Sequence, residues 1–278
     1  MSLEQLSDKV RMLLRDHAVD NFANEARWLV AETLHISSSI LVSEPSRLIS
    51  TAQAREVLSA AQRRISGEPL SYILGSADFC GFEFDVDSRV LIPRPETEHI
   101  VDIVAKALDG TVSPRCLEVG VGSGCIAVSL LLKLPNLTMV ATDISPDALE
   151  LCRHNANKHG VLQRLELVET SVFGTINGDM FDWIVSNPPY IAEDDQRVAD
   201  DVRRFEPAVA LFAQSNGLAV IEEIAGGAKR LLGEHGRLIV EHGDRQSLAV
   251  QRIFTQHGFN TGAHKDLFDR MRFVEAWV

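Results

Sequence analysis

Asn187-Pro188-Pro189-Tyr190 is the stretch whose residue types point most directly to chemistry. Each proline lacks an N–H and fixes φ, and Pro189 pushes Pro188 toward an extended backbone. The segment is therefore stiff, and its carbonyls stay free to accept. The Asn187 side-chain oxygen and the Pro188 carbonyl can take the two hydrogens of one planar N–H₂ group. An amide nitrogen is a poor nucleophile because its lone pair is delocalised, so holding both hydrogens turns that lone pair toward an electrophile, and positioning carries the rate. Tyr190 offers an aromatic face to the planar target or to positive charge developing on nitrogen. The alternative reading of the tetrapeptide is a polar turn that ends a strand.

Glu118-Val119-Gly120-Val121-Gly122-Ser123-Gly124 is the second candidate. Glycines at a strand-to-helix turn let the backbone bend sharply and approach a ligand, at the strand ends where open α/β sheets bind. The spacing is G-x-G-x-G followed by Cys125, one residue off the dinucleotide fingerprint, so a pyrophosphate cradle for hydride transfer is not expected. Glu118 would repel a pyrophosphate but suits the ammonium of a methionine moiety. Asp143 comes about twenty residues on, where a carboxylate can accept from ribose hydroxyls. Otherwise it serves as an N-terminal charge for the helix that Pro146 starts.

These motifs need a sheet to carry them. From Arg115 onward apolar strands alternate with helices: strands at Cys116–Val119, Leu137–Thr142, Leu165–Val168, Phe181–Ser186 and Arg237–Glu241, and helices at Gly124–Leu134, Pro146–His159 and Leu218–Leu232. That alternation implies a parallel sheet covered on both faces. Both motifs then lie at one edge of it. Met271–Val278 reads as a final strand, antiparallel at or near the edge. Upstream, apolar residues recur at helical spacing three times, beginning at Leu3, Phe22 and Ala54, which predicts a small bundle. Between them Tyr72-Ile73-Leu74 and Phe82–Val86 are β-prone runs punctuated by Gly75, Gly81 and Asp87. The expected division is a bundle over 1–70, a β-hairpin linker over 71–92 and an α/β domain over 93–278.

Composition narrows the function. The chain has 278 residues, 45% hydrophobic, with a formal charge of -12. An acidic chain is a poor fit to duplex nucleic acid held through its phosphates. Cys80, Cys116, Cys125 and Cys152 show no C-x-x-C spacing, and the nine histidines form no H-E-x-x-H pair, so no metal is expected. No apolar run approaches the roughly 18 residues of a membrane span, and no secretory signal opens the sequence. A cytoplasmic protein, and a monomer, is expected.

Over 115–278 the pattern resembles the class I S-adenosylmethionine methyltransferases. The resemblance implies a Rossmann-like seven-stranded sheet, with Gly120, Val121, Gly122, Ser123 and Gly124 lining the methionine end and Asp143 at the ribose. It also implies in-line displacement at the sulfonium methyl, with Asn187 beside cofactor and target. Several families of this fold share such a tetrapeptide, acting on adenine N6, cytosine N4, guanine N2 or glutamine amides. The helical N-terminus, Tyr72-Ile-Leu-Gly75, Asp78-Phe-Cys-Gly-Phe82, Leu91-Ile-Pro-Arg-Pro-Glu-Thr-Glu98 and Arg204-Phe-Glu-Pro-Ala208 together resemble the peptide chain release factor glutamine methyltransferases over nearly the whole chain.

That resemblance implies N5-methylation of the glutamine in the Gly-Gly-Gln tripeptide of class 1 release factors. The bundle would help hold the partner, and Arg94 and Glu96 would lie near the substrate entrance. Where that family carries an acidic and then a bulky residue after the third strand, this chain has Ser171 and Val172, which leaves the adenine contact to Val172. The stretch Asp266–Arg272 lacks the family's frequent glycine, and Glu241-His242-Gly243 reads only as a strand-to-helix turn. The rival readings are a nucleic-acid exocyclic-amine methyltransferase with the same Asn187–Tyr190 geometry, and a cofactor-binding module without turnover.

Overall fold

Ser2 and Ser50 each open a helix by a reciprocal cap: their hydroxyls accept from the backbone of Gln5 and Gln53, whose side chains accept from the serine N–H groups. The helices so started are α1 (Leu3–Asp16) and α4 (Thr51–Ile65); α2 (Phe22–Thr33) and the single turn α3 (Ile40–Ser43) lie between them in sequence. The computed structural model describes residues 1–278 other than Thr175 and Asp179. Its contacts divide the chain into two units, Met1–Ser76 with Asp200–Phe205, and Ala77–Ala199 with Glu206–Val278.

In the first unit Leu3, Leu6, Val10 and Leu14 of α1 pack on Leu29 and Val30 of α2 and Val57 and Ala61 of α4. Burying each of the larger side chains contributes about 1.5–3 kcal/mol. Arg64 pairs with Glu25 at 2.6 Å and ties α4 to α2. Tyr72-Ile73-Leu74, expected to be extended, is helical instead: α5 (Leu70–Leu74) starts after Pro69 and stops at the left-handed Gly75. Leu70, Ile73 and Leu74 lay themselves on the bundle core, and that burial overrides a β-prone local composition. The short helix α9 (Asp200–Phe205) belongs to this unit, and Arg204 donates to the Ser66 carbonyl at 3.3 Å.

The second unit begins with the hairpin β1 (Ser76–Phe79) and β2 (Phe82–Asp85). A 3₁₀ turn, Pro95–Thr97, leads into α6 (Glu98–Leu108). There follow β3 (Arg115–Val119), α7 (Cys125–Lys133), β4 (Thr138–Asp143), α8 (Pro146–Lys158), β5 (Leu165–Glu169) and β6 (Phe181–Ser186). Short pieces come next: β7 (Ile191–Ala192), α10 (Ala208–Leu211), β8 (Phe212–Ala213) and α11 (Gln214–Gly217). The chain ends with α12 (Ala219–Ala228), β9 (Leu232–Glu241), α13 (Ser247–Gln256), β10 (Asn260–Lys265) and β11 (Met271–Trp277).

Seven strands form one sheet in the order β10-β11-β9-β6-β3-β4-β5, with β11 antiparallel to both neighbours and the other central strands parallel. Two apolar cores cover its two faces, one with α6, α7 and α8, the other with α12 and α13. This is the expected Rossmann-like architecture. The final strand is one place in from the edge, because β10, whose sequence lacks a clear apolar alternation, occupies the edge itself.

For the site the decisive feature is strand order. Chain direction away from β3 reverses between β4 on one side and β6 on the other, which makes the β3–β6 junction a switch point. Val119 pairs with Ser186 and Ser186 with Val240, so the chain ends that follow β3, β6 and β9 emerge side by side.

Candidate active site

At that junction lies a cavity of about 360 Å³, within the range of small-ligand sites. Glu118, Gly120, Val121, Gly122, Ser123, Asp143, Val172, Asn187, Pro189 and Arg94 stand in its wall. Gly124, Glu96, Pro188 and Tyr190, also expected at the site, do not.

The turn after β3 is held by backbone bonds from Gly120 and Val121 to the Thr142 carbonyl, at 2.8 and 3.0 Å. Asp143 accepts from the Gly122 N–H at 3.0 Å and from the Ser145 N–H at 2.9 Å. It thus shapes the glycine turn, and each of its oxygens keeps a lone pair for a ligand hydroxyl. Gly122 has φ 52, and a Cβ built there meets nothing within 4 Å, which leaves the backbone open to close approach. Asn155, which sequence reasoning missed, braces this turn from α8: its side chain donates to the Ser123 and Asp85 carbonyls and accepts from the Asp85 N–H.

Glu118 is 1% exposed, and its Oε2 has no hydrogen-bond partner among the described residues. Burial pushes this carboxyl well above the usual carboxylate range; the Ala127 N–H in the first turn of α7 pulls it back, and the charge of Asp143 adds to the rise. A buried acceptor without a donor, in a cavity wall, is a place prepared for a cation. Val172 takes φ 47, rare for a β-branched residue, and its carbonyl accepts from Thr142 Oγ1 at 2.8 Å. The orphaned carboxylate, the Cβ-free cradle and the spare acceptors of Asp143 fit an amino-acid nucleoside such as S-adenosylmethionine.

Gly124 is also tightly packed. A Cβ there would lie 2.7 Å from Cys152 Sγ of α8, at φ 83. Gly124→Ala is expected to destabilise the protein by about 2–3 kcal/mol from the clash and the left-handed backbone. In a Cys152→Ala background the loss should shrink to about 1 kcal/mol, the backbone part alone. Urea unfolding of the four proteins of the cycle measures it; equal losses in both backgrounds would remove the packing explanation.

The tetrapeptide after β6 is held from behind. Asn187 Nδ2 donates to Thr97 Oγ1 at 3.2 Å, Thr97 Oγ1 donates to Glu241 Oε2 at 2.7 Å, and the Tyr190 hydroxyl donates to Glu241 Oε1 at 3.0 Å. Thr97 and Glu241 are buried. Burial raises the Glu241 carboxyl above the usual carboxylate range, and the bonds from Thr97 and Tyr190 and the charge of Arg272 offset only part of that rise. Gln246 ties the end of the loop to the turn after β9, donating to the Tyr190 carbonyl at 2.9 Å and accepting from the Gly243 N–H at 2.8 Å. Among the described residues nothing donates to the Pro188 carbonyl or to Asn187 Oδ1. Tyr190 therefore spends its hydroxyl on Glu241, outside the cavity wall, and this bond anchors the loop. Arg94 lines the cavity with its charge already met by the buried Glu206, at 2.5 Å.

The chain matches the family described as Methyltransferase small domain over residues 79–234, and the PrmC N-terminal domain over residues 5–75. The release factor glutamine methyltransferase of Chlorobaculum tepidum is 39% identical over 237 residues, covering 81% of this chain and 80% of that one. The chain belongs to the release factor glutamine methyltransferase family. The bifunctional methyltransferase of Rickettsia bellii is 36% identical over 302 residues, with 99% of this chain and 54% of the relative covered. This chain therefore spans about half the length of that relative. A methyltransferase from Pyrococcus furiosus shares the fold, with a TM-score of 0.53 at 14% identity over 82% of this chain and 98% of its own.

Thr97, Gln246 and Asn155 went unrecognised in the sequence. Glu241 carried one signal, an ionisable residue at the carboxyl end of an apolar strand. No helix among the described residues is long and apolar enough to cross a membrane.

Proposed function

We propose that this methyltransferase moves a methyl group from S-adenosylmethionine to the side-chain amide nitrogen of the glutamine in the Gly-Gly-Gln motif of class 1 release factors, in the cytoplasm. The observation that carries the reading is the pair of undonated acceptors, Asn187 Oδ1 and the Pro188 carbonyl, beside a cavity with an orphaned buried carboxylate. Glutamine as the target follows from the relatives named release factor glutamine methyltransferase. The N-terminal unit recruits the partner, with Arg94 at the entrance.

S-Adenosylmethionine supplies an electrophilic methyl on a sulfonium. Glu118 Oε2 binds the ammonium of its methionine part, Asp143 the ribose hydroxyls, and Val172 borders the adenine. Asn187 Oδ1 and the Pro188 carbonyl accept the two amide hydrogens of the target and orient its lone pair. Transfer of the methyl would break its bond to sulfur and release S-adenosylhomocysteine, and the nitrogen, acidic once alkylated, would give one proton to solvent, so no strong base is required beforehand.

The test is incubation of purified enzyme with labelled cofactor and purified release factor, or with ribosomal RNA or DNA, followed by mass spectrometry of the Gly-Gly-Gln peptide. One added methyl on the glutamine is expected. Label found only in nucleic acid would replace this reading with the exocyclic-amine one, and cofactor binding with no product on any substrate would leave a binding module.

A further inference from the structure

Glu241 is buried, stands outside the cavity wall, and joins Tyr190 to Asn187 through a chain of hydrogen bonds that runs by way of Thr97. We infer that Glu241 is a positioning residue that fixes which way the Asn187 amide faces, by acting only as an acceptor toward Thr97 and Tyr190. The inference rests on the reading that Asn187 Oδ1 accepts from the substrate amide.

A carboxylate has only acceptors, so Thr97 and Tyr190 must each spend their single hydroxyl proton on Glu241. Thr97 Oγ1 then has only lone pairs to offer Asn187. The amide must answer with its Nδ2, as it does at 3.2 Å, and Oδ1 is left toward the cavity. An amide facing the other way would present an N–H₂ to the N–H₂ of the target and lose the acceptor on which orientation depends.

Glu241→Gln keeps the shape and changes the count of protons. The Tyr190 proton still needs an acceptor, so the new side chain turns its oxygen to Tyr190 and its N–H₂ to Thr97. Thr97, now an acceptor there, gives its proton to Asn187 Oδ1, and the Asn187 amide reverses. The opposite orientation of the glutamine would leave the Tyr190 hydroxyl proton buried without an acceptor, which is the costlier arrangement.

Steady-state kinetics with purified release factor, and calorimetry for cofactor, test this on wild type, Glu241→Gln, Thr97→Val and Thr97→Ser. Glu241→Gln and Thr97→Val should each lower kcat by about 10²-fold, with KM and cofactor Kd within about three-fold of wild type. Thr97→Ser, which loses a methyl group but keeps the hydroxyl, should recover turnover to within about three-fold of wild type. A packing role predicts the reverse order, since valine preserves shape and serine does not. Valine faster than or equal to serine overturns the polarity inference, as does a Glu241→Gln loss confined to KM or Kd. If wild type itself leaves the glutamine unmethylated, the functional reading falls and the inference with it.

Discussion

Asn187→Ala should lower kcat on the release factor by about 10²–10³-fold while leaving the cofactor Kd within a few-fold. The split follows from geometry. Asn187 stands in the cavity wall, so its loss changes the shape of the cofactor site only at one edge, and Glu118, Gly122 and Asp143 are untouched. What disappears is one of two acceptors for the target N–H₂, and with it the fixed direction of the nitrogen lone pair. Pro188 still holds one hydrogen, so the substrate binds, but the amide rotates about that bond. Single-turnover rates at saturating cofactor, set beside calorimetric affinities, separate the two quantities. A kcat near that of wild type would remove Asn187 from the orienting role. Asn187→Asp makes a sharper comparison: it keeps an oxygen but has no Nδ2 to give Thr97, so it is expected to be slow as well.

Local chemistry made much of this molecule legible. Two motifs of a few residues each, at the ends of apolar strands, placed Gly120–Ser123, Asp143 and Asn187 on one sheet edge, because strand–helix alternation forces a parallel sheet whose carboxyl ends lie together. Strands β3 and β6 were legible for the same reason, a short run of mostly apolar residues. Contacts made across the fold left no such trace. Thr97 reaches Asn187 across 90 residues and Glu241 across 144, and nothing local distinguishes it from any threonine at a helix start. Gly124 shares a motif with Gly122, yet its packing against the Cys152 side chain, which forbids a Cβ, left no trace in the sequence. The run Tyr72–Leu74 misled because β propensity describes a half-buried pleated surface, and here the same residues cover a helical core. The two-residue strands β7 and β8 are too short to show any period at all.

Glu118→Gln should weaken cofactor binding by about 10–100-fold, because a hydrogen bond to a charged group contributes about 1.5–3 kcal/mol and the neutral amide keeps little of it. The same substitution has an opposite effect on the empty protein. The carboxyl is raised by burial, so between the unfolded pKa and the raised folded value the native state holds more protons than the unfolded one. The contribution of Glu118 to stability is therefore fully present below the unfolded pKa and is lost as pH rises through the folded value. Affinity for an ammonium runs the other way: only the ionised carboxylate pairs with it, so cofactor binding weakens as pH falls through the raised value and releases a proton within that window. Wild type should then show cofactor-free stability declining, and cofactor affinity rising, over one and the same pH interval above the usual carboxylate range. Glu118→Gln should flatten both and, above that interval, leave the cofactor-free protein at least as stable as wild type, since the buried unpaired charge present there has been removed. Denaturant melts and calorimetry across that interval read the two slopes independently. Affinity that stays flat with pH in wild type, or a Gln variant that binds as tightly, would take the ammonium away from Glu118.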